Sequence, residues 1–128
     1  MRLYLFTDEQ LAWRLERNMC RASLGYFIQR GWHVLHPRER LHWGLLQDAM
    51  ALHWQAWWKG QIPRFLSTQP PGTAKSLFAS IYGMAWAWAR DPTMRAICLS
   101  ANPRVALVGA NRMHDLVASE WYQPTFRP

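Results

Sequence analysis

Residues Arg64 to Phe78 read "RFLSTQPPGTAKSLF", and the fold turns on how this stretch is understood. An apolar run meets two prolines and a glycine, then Lys75-Ser76, then apolar residues again. The usual phosphate-binding loop, G-x-x-x-x-G-K-[ST], lies between a strand and a helix. With Lys75-Ser76 on its last two positions, Gln69 replaces the first glycine and Ala74 the second. The letters fail but the chemistry is retained. Lys75 supplies a point charge for the β- and γ-phosphates of a nucleotide such as ATP. Ser76 supplies a hydroxyl for Mg²⁺. The backbone N–H groups of Thr73 to Leu77 form a helix N-terminus that faces phosphate. Ala74 is small enough for close approach, and Gly72 keeps one permissive backbone position. Pro70 and Pro71 stiffen the start of the loop without donating hydrogen bonds. The same residues also read as a strand-to-helix turn with a capping Ser or Thr and an exposed lysine.

Outward from the loop, Ile62 to Thr68 suits a short buried strand, with Pro63 near its start. On the other side, "SLFASIYGMAWAWAR" predicts a helix over 76–90, stopped by Asp91-Pro92. "RAICLS", residues 95–100, is a second strand candidate. Asn102-Pro103 is an N-cap followed by proline at the first helical position, and a helix to about Ser119 should follow. The tail "EWYQPTFRP" closes no element.

Upstream, Leu11, Leu15, Met19 and Ala22 recur at helical spacing, so a helix is expected over 7–29, capped by Thr7 or Asp8. Gly31 and "HPRE" break it. A second helix is expected over 38–59, with Leu41, Leu45, Met50, Leu52 and Trp57 among its apolar positions and Gly60 as terminator. The expected fold is therefore α/β. A helical lead-in over residues 1–60 precedes residues 61–128, which read strand, loop, helix, strand, helix. That is one crossover with a parallel strand pair, the start of a P-loop type sheet. Two parallel strands are not a stable end-point, so the sequence reads as the beginning of a larger, truncated α/β domain.

The bulk properties bound the function. The chain has 128 residues, is 50% hydrophobic and 18% charged, and carries a net charge of +7, which makes it globular and favours a polyanionic partner. Its nine tryptophans are expected mainly in core and interface positions, the "AWAWA" run included. Cys20 and Cys98 stand alone, without metal spacing, so a reducing cytoplasm fits and neither reads as a nucleophile. The start "MRLYLFTDEQ" does not read as a signal peptide, and no run reaches the length of a membrane span. His33 and His36 have i, i+3 spacing, with His42 and His53 beyond, but no Cys or carboxylate completes a zinc set.

Several segments together resemble the large terminase subunits of tailed double-stranded DNA phages. "PPGTAKS" is similar to that family's nucleotide loop, and "RFLSTQ" to the strand before it. "SLFASIYGMAWAWARDP", with Trp86 and Trp88, is similar to its next helix, and "RAICLSAN" to its next strand. "NRMHDLVASEWYQ", "SLGYFIQRGWHVLHP" and "LHWGLLQDAMALHWQAWWKGQIPRFL" resemble flanking segments, so the likeness covers about residues 20–128.

The resemblance implies an N-terminal part of a DNA-packaging ATPase, working in a bacterial host's cytoplasm. It implies ATP and Mg²⁺ at Gln69, Pro70, Pro71, Gly72, Thr73, Ala74, Lys75 and Ser76, with Lys75 on the phosphates and Ser76 on the metal. It implies a catalytic role for Arg112 on γ-phosphate charge and a position for His42 near the adenine. The partners it implies are double-stranded DNA, a portal protein and a small terminase subunit, in a ring oligomer away from any membrane. Gly72 stands where many members have arginine. The Walker B carboxylates and the nuclease domain are expected to be absent from these residues. The alternatives are a non-catalytic basic binding module, a decayed prophage remnant that no longer binds nucleotide, and a P-loop kinase.

Overall fold

The computed structural model describes residues 7–127, and these are helical throughout their regular structure. The six α-helices are α1 (Asp8–Ala22), α2 (Leu24–Leu35), α3 (Leu45–Trp58), α4 (Gly83–Arg90), α5 (Pro103–Ala118) and α6 (Tyr122–Phe126). A π-helical segment, Leu77–Tyr82, runs directly into α4. The reading of the first residues as no signal peptide falls largely on 1–6, outside the described residues.

The α/β expectation is corrected: among the described residues there is no strand and no sheet, hence no parallel P-loop sheet. Residues 62–68 and 95–100 run as irregular chain. Three of their apolar side chains face solvent, with Leu66 and Ile97 each 86% and Leu99 91% exposed. No backbone hydrogen bond joins the two segments. A short apolar run makes a strand only when a ladder partner completes the backbone pairing, and a lone pair of short strands does not stand in water. Phe65 instead anchors its segment on α3, stacked on His53 at 5.8 Å and edge-on to Trp54 at 5.0 Å.

The helices start where local chemistry places them. Thr7 caps α1 in a capping box: its hydroxyl accepts from Gln10 N, and Gln10 Oε1 accepts from Thr7 N. The continuous helix expected over 7–29 breaks at Ser23, which is extended (φ −137°) and caps α2 by accepting from Tyr26 N at 3.2 Å. A serine hydroxyl offers the backbone this alternative to helix, and that ended the pattern early. Helix α2 then carries through Gly31 to Leu35. Helix α3 begins at Leu45, not near 38, after Gly44 N donates to Gln47 Oε1. Asn102 caps α5 with Pro103 in its first turn, as expected. The tail closes an element after all: the Ser119 hydroxyl accepts from Tyr122 N and leads α6.

The core is one cluster drawn from Cys20 to Phe126. Trp86, Tyr82, Phe27 and Phe78 are its largest fully buried side chains. Phe27 is the aromatic hub, meeting Tyr82, Trp121, Tyr122 and Phe126 with ring centroids 5.3–6.5 Å apart. Two polar tips in the core find carbonyls: Trp86 Nε1 donates to Cys20 O at 2.8 Å and Tyr122 OH to Ala85 O at 2.8 Å. The "AWAWA" run is core, with Ala85, Trp86, Ala87 and Ala89 buried. The apolar stripe of α1 is not, since Leu11, Leu15 and Met19 are about half exposed (51%, 55% and 50%). Burial lifts the Cys20 thiol to about 12, with Glu16 adding to the rise, so this cysteine stays an inert thiol.

Candidate functional site: the loop before the central helix

The helix expected over 76–90 is present. Lys75 and Ser76 are already helical, and the segment continues through the π turns to Arg90. It is the central helix of the fold, because Phe78, Ile81, Tyr82 and Trp86 are all core residues. Trp43 stacks on Phe78 with centroids 5.6 Å apart and steadies the start of the helix from the α3 side. The loop thus rises from solvent onto a helix whose inner face is fixed.

Within the loop, Gly72 has φ +85° and Ala74 φ +61°. Ala74 is the only residue other than glycine with positive φ among the described residues. It occupies the position of the motif's second glycine. A Cβ in this region costs roughly 1–2 kcal/mol. Such strain persists only where the surroundings impose it, which is common at ligand-binding loops. Here Ala74 packs against the core, and its carbonyl accepts from Phe78 N at 3.2 Å to close the first turn.

Lys75 folds back over the loop and donates from Nζ to Gln69 O at 2.8 Å. The Thr73 hydroxyl lies 2.9 Å from Pro70 O and 3.3 Å from Gln69 Oε1. Gln69, Pro70, Thr73 and Lys75 are therefore drawn into one closed turn from Gln69 to Lys75. The Ser76 hydroxyl caps no backbone group and is exposed. Of the expected site residues, Gln69 to Ser76 are thus brought together at one helix start. What the loop lacks is the preceding strand.

Arg112 is elsewhere engaged. It projects from α5 toward the end of α2, where Nη2 meets His36 Nε2 at 2.9 Å. His36 in turn stacks on Trp32 at 3.9 Å, and Trp32 lies parallel to Tyr82 at 6.2 Å. Burial first and the Arg112 charge second push the His36 imidazole below its ordinary value. A neutral imidazole is the form that accepts from a guanidinium, so geometry and electrostatics agree. Reading along the chain could not find this pair, which is 76 positions apart.

The other histidines are not gathered. His33 Nδ1 lies 2.8 Å from Arg30 O, His53 Nδ1 lies 2.6 Å from Ala49 O, and His42 is exposed. Among the described residues no group of three or more His, Cys, Asp or Glu side chains is placed to hold a metal. No helix among them is long and apolar enough to cross a membrane. Comparison with family models, with curated proteins and with solved structures finds no match.

Proposed function

We propose that Gln69–Ser76 is a phosphate-binding loop, and that the chain supplies the ATP-binding segment of a motor that packages double-stranded DNA. The observation that carries this reading is the backbone of the loop. Ala74 holds the positive φ of a motif glycine directly before Lys75, at the start of a helix whose serine hydroxyl is uncommitted. Lys75 and the N–H groups of the first turn would hold the phosphates, and Ser76 would offer the hydroxyl to Mg²⁺. Magnesium would neutralise phosphate charge; the chain's own part is to release Lys75 from Gln69 O and turn its ammonium onto the nucleotide. The net charge of +7 suits a DNA partner. Portal and small-subunit partners, a ring oligomer and a host cytoplasm belong to the same proposal and rest on the sequence resemblance.

Equilibrium binding of a fluorescent ATP analogue with Mg²⁺ tests the site. Lys75→Ala removes a charge-assisted contact worth about 1.5–3 kcal/mol, so affinity should fall roughly 10- to 100-fold. Equal affinity in wild type and Lys75→Ala would sink the assignment. The all-helical core favours a second reading, a basic helical binding module in which Lys75 only fastens the turn. That reading predicts no saturable ATP binding and a loss of stability in Lys75→Ala.

A further inference from the structure

Beyond the loop, a cleft of about 460 Å³ opens between the C-terminal end of α3 and the C-terminal end of α4. Trp58, Lys59 and Gln61 line one side; Trp86, Arg90 and Asp91 line the other. Its volume lies in the range of small-molecule sites. Lys75 and Arg90 stand at opposite ends of one continuous helix, separated by about 20 Å at 1.5 Å per residue. One nucleotide held by Lys75 does not reach this cleft, so it is a separate place.

Both walls are built. On the α3 side, Gly60 has φ +74°, and the N–H groups of Lys59, Gly60 and Gln61 bond back to Gln55 O, Trp57 O and Ala56 O. On the α4 side, Asp91 Oδ1 accepts from Thr93 N and from Thr93 Oγ1, and Trp88 Nε1 donates to Met94 O at 3.0 Å. Two carbonyls at the end of α4 are taken, Ala87 O by Asp91 N and Ala89 O by Arg21 Nε. Side-chain charge adds to this. Lys59 and Arg90 are exposed and have no ion-pair partner among the described residues.

Arg90 has a planar use. Its guanidinium lies over the buried Trp86 ring, 4.8 Å from the centroid, while the residue itself is exposed at the cleft. A guanidinium backed by an indole is a platform on which a second flat ring stacks. Lys59, across the cleft, provides a point charge for an anionic group. The amide of Gln61 and the carboxylate of Asp91 offer acceptors and donors to the edge of that ring.

We infer that this cleft binds a nucleotide, with the base stacked on Arg90, its amino edge toward Asp91 and Gln61, and its phosphate on Lys59. The nucleotide is either free or part of a single strand; the recognition chemistry is the same. This site stands independently of the loop.

Calorimetric titration of GMP into the Lys75→Ala chain tests the cleft with the loop silenced. Lys59→Ala and Arg90→Ala should each weaken GMP roughly tenfold. Arg90→Lys keeps the charge but not the flat face, and should weaken GMP toward the affinity of ribose 5-phosphate. It covers the case in which Arg90→Ala unsettles Trp86. A single-stranded tetranucleotide that displaces GMP and binds more tightly would mark the strand as the source. Displacement that is no tighter would mark the free nucleotide. The inference is overturned if GMP fails to bind at millimolar concentration, if Lys59→Ala and Arg90→Lys leave its affinity unchanged, or if ribose 5-phosphate binds as well as GMP.

Discussion

Gly83 and Gly109 allow one substitution to be made twice with opposite expected signs. Gly83 begins α4 directly after the π-helical segment. In a π turn a carbonyl pairs with the N–H five residues on, which carries the Phe78 carbonyl in toward residue 83. A Cβ on Gly83 would fall on that carbonyl oxygen and 2.7 Å from Trp58 Nε1. The carbonyl belongs to the backbone of a buried segment and has nowhere to retreat. Gly109 lies inside α5, and a Cβ there meets nothing within 4 Å. Replacing glycine by alanine in an open helix interior gains about 0.8–1 kcal/mol. Overpacking a filled site costs about 1–3 kcal/mol, and contact with fixed backbone belongs at the upper end. Gly109→Ala should therefore stabilise by up to about 1 kcal/mol. Gly83→Ala should destabilise by about 1–2 kcal/mol after the propensity gain is subtracted. For a chain of this size the two variants should move Tm in opposite directions, by about 3–5 °C for each kcal/mol. Urea unfolding followed by far-UV circular dichroism measures both. Trp58→Phe, which removes the crowded nitrogen, should recover part of the Gly83→Ala cost in the double variant. Gly83→Ala as stable as wild type would refute the π turn and the packing of Trp58 on it together.

Three further outcomes are expected. Ala74→Gly relieves the positive φ, and the relief of about 1–2 kcal/mol outweighs glycine's entropic cost of about 0.5–1 kcal/mol; ATP affinity should hold or rise in this variant, and a loss of both stability and affinity would show that Ala74 is not strained. The folded-state pKa of His36 lies below its unfolded value, so the folded chain binds fewer protons near and below the ordinary imidazole range, around 6.5. Its contribution is complete above that range and is lost as pH falls through it, together with the bond from Arg112; the urea midpoint should decline between about pH 7 and 5 in wild type and less steeply in His36→Gln, and an equal slope in both would refute the coupling. Finally, the net charge of +7 predicts sequence-independent duplex DNA binding that weakens steeply with salt, and a flat response across moderate salt in a filter-binding or anisotropy titration would exclude an electrostatic partner.

What could be read from the residues was mostly punctuation. Thr7, Asn102-Pro103, Asp91-Pro92 and Gly60 mark real helix boundaries because each acts through its own side chain or backbone freedom. Periodicity was a weaker guide, because it identifies a stripe without saying what covers it. Leu11, Leu15 and Met19 are spaced as a helix face should be, yet α1 packs through Cys20 and leaves them in solvent. Leu45 and Leu52 of α3 are likewise 85% and 66% exposed, while Met50 between them is buried.

The strand expectation failed for a related reason. A short apolar run such as 62–68 or 95–100 suits an irregular extended chain as well as it suits a strand, and only a ladder partner separates the two. The loop needs no such partner on its helix side. Lys75-Ser76 followed by "LFASIY" specifies a buried helix start whatever precedes it, since Phe78, Ile81 and Tyr82 fix the helix from within. The backbone of Ala74 was illegible for the opposite reason. Alanine carries no signal for positive φ, unlike glycine, so its left-handed turn comes from the constraints on both sides: the Lys75 tether to Gln69 O and the Ala74 carbonyl bond from Phe78 N. Both constraints are local, and both would act on this loop with or without a sheet beside it.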